Sequence, residues 1–486
     1  MPNKVVNGIA WTTASSLTRN FVSFIQIAVL TRFLDKASFG IVAIAGLFVS
    51  FTTLFLDMGI SAGILHRQEI SKKEYSSLFW LNIVSGVFLT FLLFMLAPLL
   101  TRSYHSEELE VVVKWLCFTV FLNSIGNQQR VVCQKNMLFK RLAVVEIISS
   151  VITFAVAFIT AARGYGVMSL AYSTLAGTVF NNLTHLVIGL IKDSRIHFHF
   201  HIKETFPFLK IGVYSVGSQI LDFFSRELDI MIVSATLGLE FTGVYNIAKR
   251  IPLAIYRFIS PLLSRVFTPF FAKNNNDKEH VNNMYFRLSH AIAGLGFTCF
   301  FPIAALAPTI MSLAFGPDYV EGAIILSVFS IMYGFHSFMG ICGTLQVSLG
   351  RTDIGLYWTI FGIASTAIIY YVSSLFGITW FLIGILFRTL LDVYALWLIQ
   401  YKVMLSISFK SYISAVIKPL IICSIPCIIV ALLYYKVSVL YLIVSGVALV
   451  ITIVFALLRI DEPFWKDLAK DLNIKPLIKI VGLIAK

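Results

Sequence analysis

The chain has 486 residues, 58% of them hydrophobic and 13% charged, and a formal net charge of +14. With a mean hydropathy of +0.86, this composition excludes an ordinary soluble domain. Its basic excess is spread over short loops, which excludes a nucleic-acid-binding face.

Crossing the hydrocarbon core as a helix takes about 20 apolar residues. Apolar stretches of that length recur fourteen times, near 8–31, 38–60, 77–101, 110–131, 142–162, 165–190, 206–234, 240–270, 284–313, 320–349, 354–374, 377–401, 411–435 and 437–459. The expected fold is therefore an all-α integral membrane protein of about 14 transmembrane helices. The first span is broken by Thr12, Thr13, Ser15, Ser16, Thr18 and Arg19, unlike a removable signal peptide, and is read as a retained helix.

With the N-terminus placed inside, inner connections carry 17 basic residues. Among them are Arg67, Lys72, Lys73, Arg130, Lys135, Lys140, Arg141, Lys192 and Lys203. Outer connections carry 5, namely Arg32, Lys36, Arg102, Arg163 and Lys436. This is the positive-inside asymmetry, and an even span count puts both termini in the cytoplasm.

The longest break, 192–205, separates six spans from eight and is read as a cytoplasmic linker. Gly40-Ile41-Val42-Ala43-Ile44-Ala45 opens the second span, and Gly243-Val244-Tyr245-Asn246-Ile247-Ala248 opens the eighth, 203 residues later. The resulting expectation is two six-helix lobes, 1–191 and 206–402, related as parallel repeats. Helices 13 and 14 (403–459) are then an appended pair, and 460–486 is an amphipathic cytoplasmic tail on anionic membrane lipids.

Charged residues within spans are costly and mark function by default. They cluster at Arg19 in span 1, at Asp222, Arg226, Glu227 and Asp229 in span 7, and at Lys249, Arg250, Arg257 and Arg265 in span 8. Arg250, Arg257 and Arg265 fall in one helical stripe roughly 80° wide. The 203-residue offset makes Arg19 equivalent to Asp222. Cationic helices of this kind make an anion site, and the planar, permanently charged guanidinium suits phosphate. Arg19, Arg226, Arg250, Arg257 and Arg265 are the candidate substrate-binding residues. Asp222, Glu227 and Asp229 are candidate coupling carboxylates.

Asp57, ending span 2, reads as a capping or loop-pinning group, and Arg388 with Asp392 as an i,i+4 pair. His185, His290 and His336 read as packing residues. His197, His199 and His201 alternate but have no fourth ligand nearby, and the six cysteines form no CxxC pair, so no metal site is implied. With no Walker A loop, GxSxG or HExxH, neither catalytic residues nor a cofactor are expected.

The chain resembles the Wzx-type polysaccharide and O-antigen flippases of the multidrug/oligosaccharidyl-lipid/polysaccharide exporter superfamily, in particular the colanic-acid exporter branch. The likeness is carried by Thr31-Arg32-Phe33-Leu34-Asp35 with Phe39-Gly40, and by Asp57-Met58-Gly59-Ile60 with Ile64 and Arg67. It continues through Ser77 to Asn82, Gln134-Lys135 with Phe139-Lys140, and Gly164 to Leu170. In the second half it includes Leu237-Gly238, Gly243 to Ala248, Pro269-Phe270-Phe271-Ala272 and Phe315-Gly316.

The resemblance implies a monomeric, non-enzymatic flippase of the bacterial inner membrane that works by alternating access around a cationic cavity. It implies an undecaprenyl-diphosphate-linked oligosaccharide repeat unit as substrate, for lipopolysaccharide, capsule or exopolysaccharide. It also implies a polysaccharide polymerase and a chain-length regulator as partners. In related lipid II flippases, arginines of helices one, two and eight line the cavity. Arg19 and Arg257 match the first and eighth, whereas span 2 has no arginine. Two alternatives are a cation-coupled small-molecule exporter of the same fold and a membrane glycosyltransferase or ligase. Cationic drugs call for an acidic cavity, and outer connections of at most about 15 residues disfavour the transferase.

Reporter fusions after Lys192 and after Lys486 are expected to read cytoplasmic. A periplasmic signal at either position overturns the topology.

Overall fold

The computed structural model describes residues 2–67, 69–192, 196–273, 278–433, 439–460 and 464–465. Every regular element among them is helical. This follows from the solvent, because a segment in hydrocarbon must satisfy its backbone polar groups internally. Ten helical segments among the described residues are long and apolar enough to cross a membrane. The chain is a multi-pass, all-α membrane protein. The tail from 460 lies outside the described residues except for Ile460, Phe464 and Trp465, as do 193–195 of the expected linker.

The helices divide into two compact units, Met1–Asn246 and Ile247–Lys486. The first holds α1 (Pro2–Leu30), α2 (Lys36–Asp57), α3 (Ile60–His66), α4 (Lys72–Tyr104), α5 (Glu107–Leu116), α6 (Phe118–Lys135), α7 (Phe139–Ala162), α8 (Met168–Lys192), α9 (Ile202–Thr236) and the start of α10 (Leu239–Lys273). Helices α1 and α7 pack along each other, as do α7 and α8, α6 and α8, and α4 and α6.

Local chemistry sets the helix starts. Asp35 caps α2 by accepting from the Ser38 amide at 3.0 Å. Ser71 and Glu74 form a capping box at α4, so two orphan amides are satisfied reciprocally. Between α2 and α3, Met58 and Gly59 take positive φ values of 43° and 71° and break the helix.

Glycine decides how closely helices cross. A β-carbon on Gly40 would lie 1.9 Å from the Leu239 carbonyl oxygen, and one on Gly243 would lie 1.9 Å from the Lys36 carbonyl oxygen. The two hexamers that match in sequence thus touch reciprocally, each through its own glycine and the carbonyl four residues before the other's. The break at Gly59 meets Gly212 of α9 in the same way, with 1.9 Å from an added β-carbon to the Gly212 Cα. Small residues allow such approach where no hydrophobic force draws helices together.

The described part of the linker runs across the start of α4. The amides of His197 and His201 donate to Ser76 and Ser77 at 2.9 and 3.0 Å. Trp80 donates to the His197 carbonyl at 2.9 Å and stacks on Phe198 at 5.3 Å. The Ser77 hydroxyl, at 2.6 Å, and the His199 ring hold the Glu204 carboxyl below its ordinary range.

The second unit continues with α11 (Lys278–Ala305), α12 (Ala307–Phe315), α13 (Ala323–Met339), α14 (Ile341–Ser348), α15 (Thr352–Ser374), α16 (Ile378–Leu396), α17 (Lys402–Leu405), α18 (Phe409–Leu433) and α19 (Val439–Ile460). Its core forms where α11 packs on α13 and α18, around Tyr285, Phe297, Phe338, Tyr401 and Tyr412. A π-helical turn at Trp397–Tyr401 follows α16. The Arg388–Asp392 pair forms at 2.8 Å, and Arg388 also donates to the Gly362 carbonyl of α15 at 3.2 Å. His290 Nδ1 lies 2.9 Å from the Ala415 carbonyl. His336 lies 3.7 Å from Asp392.

Replacing Gly243 by Leu forces the α2–α10 crossing apart. The variant is expected to lower the melting temperature of detergent-purified protein by several degrees, and Gly46→Leu, where no atom lies within 4 Å of an added β-carbon, is expected to leave it within about a degree of wild type.

Candidate functional site

A polar cavity of about 460 Å³ opens inside the first unit between α1, α2, α6, α7 and α8. Its charged lining is Arg19 of α1, Asp57 of α2, Arg130 of α6 and Glu146 of α7. Neutral hydrogen-bonding groups complete it: Asn123, Asn127, Asn181 and Asn182, with Thr53, Ser149, Thr153, Thr174 and Thr178. Helices α2, α6, α7 and α8 contribute polar residues at helical spacing. Asn123, Asn127 and Arg130 recur every three or four residues on α6, as do Glu146, Ser149 and Thr153 on α7, so each helix turns one polar stripe inward.

Glu146 ties the two arginines together. Arg130 donates to Glu146 Oε1 at 3.2 Å, and Arg19 Nε lies 3.5 Å from Oε2. The Ser15 hydroxyl donates to Oε2 at 2.8 Å. The Arg19 and Arg130 side chains are 43% and 44% exposed and Glu146 is 14% exposed, so both arginines keep accessible surface, although the Arg19 Nε that faces Glu146 is buried. Asp57 is committed elsewhere. Its Oδ1 accepts from the Ser61 amide at 3.2 Å, from the Ser61 hydroxyl, and from Asn127 Nδ2 at 3.3 Å. It pins the α2–α3 break, the role its position at the end of the span suggests. Asn182 donates to Asn123 Oδ1 at 2.9 Å and keeps α6 and α8 in register.

The eight sequence-derived candidates distribute unevenly. Arg19 lines the cavity. Arg226 and Asp222 form an exposed i,i+4 pair at 3.8 Å on α9. Glu227 is half-buried. Asp229 turns inward, where its Oδ2 accepts from the Tyr245 hydroxyl at 2.7 Å and its Oδ1 from the Ile230 amide at 2.8 Å. The α9 carboxylates therefore do not make one cluster: the helix is exposed at Asp222 and packed at Asp229, although both project to the same side. Arg250 and Arg257 are exposed on the part of α10 that belongs to the second unit, and the Arg265 side chain lies outside the described residues.

Three cavity features are missing from the candidates. Arg130, counted with the inner-loop cations, sits more than a turn inside α6. Glu146 is the one acidic residue of its span and answers the same test that singles out Arg19. Asn123 and Asn127 stand four residues apart on α6, and Asn181 and Asn182 are adjacent on α8.

A profile described as polysaccharide biosynthesis protein matches residues 29–324. The chain belongs to the polysaccharide biosynthesis protein family. It is similar to the teichuronic acid biosynthesis protein TuaB of Bacillus subtilis, 24% identical over 86% of both chains. The lipopolysaccharide biosynthesis protein WzxC of Escherichia coli is 22% identical over 88% of this chain and 87% of its own. The family bears out the Wzx-type resemblance read from the motifs. In fold, the chain is similar to the lipid II flippase MurJ in an inward closed conformation. That similarity has a TM-score of 0.74 at 14% identity and covers 96% of this chain and 99% of the other.

Losing the Asp57 carboxylate removes the acceptor that holds the start of α3. Asp57→Ala is expected to cost about 1 kcal/mol, the worth of a helix cap, read as a lower melting temperature. Asp57→Asn, which keeps one acceptor oxygen, is expected to recover most of it.

Proposed function

We propose that this polysaccharide biosynthesis protein is a flippase that moves undecaprenyl-diphosphate-linked oligosaccharide repeat units across the inner membrane by alternating access. The observation that carries the reading is the polar cavity of the first unit, which Arg19 and Arg130 line between five packed helices. Two arginines with accessible surface suit a diphosphate, which accepts bidentate hydrogen bonds through several oxygens. The surrounding asparagine, serine and threonine groups suit sugar hydroxyls, each of which needs both a donor and an acceptor. The relatives named for teichuronic acid and lipopolysaccharide biosynthesis and the flippase of similar fold support the same substrate class.

In this reading the chain is a transporter in the inner membrane with both termini cytoplasmic. It works as two six-helix lobes, 1–191 and 206–402, with helices of 403–459 appended. The reciprocal contact of Gly40 and Gly243 supports such a repeat, since related segments meet symmetrically. Arg226, Arg250, Arg257 and Arg265 remain proposed substrate-binding residues. Asp222, Glu227 and Asp229 remain proposed coupling groups, with Asp229 acting through its bond to Tyr245. The product passes to a polymerase and a chain-length regulator.

Arg19→Ala and Arg130→Ala each remove a charged hydrogen-bond donor worth about 1.5–3 kcal/mol. Each is expected to slow flipping of a lipid-linked diphosphate in proteoliposomes by roughly tenfold or more. Arg257→Ala is expected to lower surface polysaccharide in a complemented deletion strain at equal expression, with Arg257→Lys a partial rescue because the fork is lost. Wild-type flipping by both cavity variants sinks the assignment.

A further inference from the structure

The charged groups that line the first unit's cavity balance. Arg19 and Arg130 supply two positive charges, and Asp57 and Glu146 supply two negative ones. The two acids differ in what they hold. Asp57 is bound to Ser61 and Asn127 and serves the helix break. Glu146 is bound to the cations themselves, presenting one oxygen to each arginine. Carboxylate and phosphate oxygens are interchangeable partners for a guanidinium fork. Glu146 therefore competes with a diphosphate for one edge of each guanidinium, Nε of Arg19 and one Nη of Arg130.

We infer that Glu146 is a built-in counter-anion of the substrate site, pairing with Arg19 and Arg130 while the cavity is empty and yielding them to the diphosphate of the lipid carrier. The inference rests on the flippase reading of this cavity and adds to it a residue that sets affinity.

Two physical consequences make the arrangement useful to a transporter. Unpaired arginines within a membrane are costly, and pairing with Glu146 offsets part of that cost. The ligand must also displace a carboxylate, so its net binding is weakened by the worth of the ion pairs. Transport requires binding strong enough to enter and weak enough to leave, and an internal competitor tunes the second condition. Ser15 supports the exchange. Its hydroxyl donates to Glu146 Oε2 and offers the carboxylate an anchor that does not depend on the arginines. His185 of α8 lies in electrostatic reach of Arg130, Glu146 and Arg141.

The test uses the full-length protein in nanodiscs, with inorganic pyrophosphate and undecaprenyl diphosphate as probes and calorimetry as the readout. Glu146→Gln keeps the shape and an oxygen acceptor for Ser15 but removes the charge. It is expected to bind both probes roughly tenfold tighter than wild type, the worth of two half-exposed ion pairs. It is also expected to turn over a lipid-linked substrate more slowly, because release is retarded. Glu146→Asp, which keeps the charge, is expected to bind nearer to wild type than Glu146→Gln does. A merely structural Glu146 predicts unchanged or weaker binding by Glu146→Gln, and that result overturns the inference while wild-type binding leaves the flippase reading standing. Absence of binding by wild type, Glu146→Gln and Glu146→Asp alike overturns both. Should Glu146→Gln fail to fold, Ser15→Ala supplies the second arm. Loss of the anchor leaves Glu146 held by the arginines alone, and weaker pyrophosphate binding is expected; tighter or unchanged binding counts against the exchange.

Discussion

Charge in hydrocarbon needs a partner or water, and that constraint organises this protein. Where helices meet lipid they are apolar around the exposed face, as α7 and α15 are. Where they carry charge, the charge is spent in one of two ways. Arg388 and Asp392 pair at 2.8 Å beside α15 and serve packing. Arg19, Arg130 and Glu146 pair loosely around a cavity and keep part of their surface accessible. The first arrangement has little left to offer a ligand. The second keeps donors available, and it is the one that suits transport of an anion.

The second constraint is close backbone approach. Helices in lipid gain nothing from hiding apolar surface from one another, so packing contact has to be made at short range. Gly40, Gly243, Gly59 and Gly212 provide this in the first unit, at crossings that a β-carbon would block. The Gly59–Gly212 crossing lies at the α2–α3 break, where Asp57, Met58 and Gly59 end one helix and begin the next. The same break presents Asp57 to the cavity and ties it to Asn127 of α6. Packing and site are therefore built from shared residues, which is why the cavity's polar wall is held by side-chain bonds across helices and is not a set of independent groups.

The fold class was legible in the sequence because hydropathy is a local property. A window of about 20 residues decides whether a segment belongs in hydrocarbon, with no knowledge of its neighbours. The third expected span, 77–101, sits within α4, and the fifth, 142–162, sits within α7. The helices run past the spans by up to a turn or more, since a helix continues into the polar interface until a cap or turn ends it. Within the spans, the cost of burying charge identified Arg19, and the position of Asp57 identified a pinning group. Family motifs supplied the class of transporter.

Tertiary structure alone decided which polar residues meet. Arg130, at the inner end of the fourth expected span, counts with the inner cations in sequence and is a cavity residue by packing, because α6 carries it more than a turn inward. Asp222 and Asp229 share a helical side in sequence, yet one is exposed and the other is bound to Tyr245, because α9 meets its neighbours along only part of its length. Glu146 finds Ser15 from 131 residues away. Periodicity gives the direction in which a side chain leaves its own helix. It holds no information about which other helix stands there, and a cavity walled by five helices exists only once all five are packed.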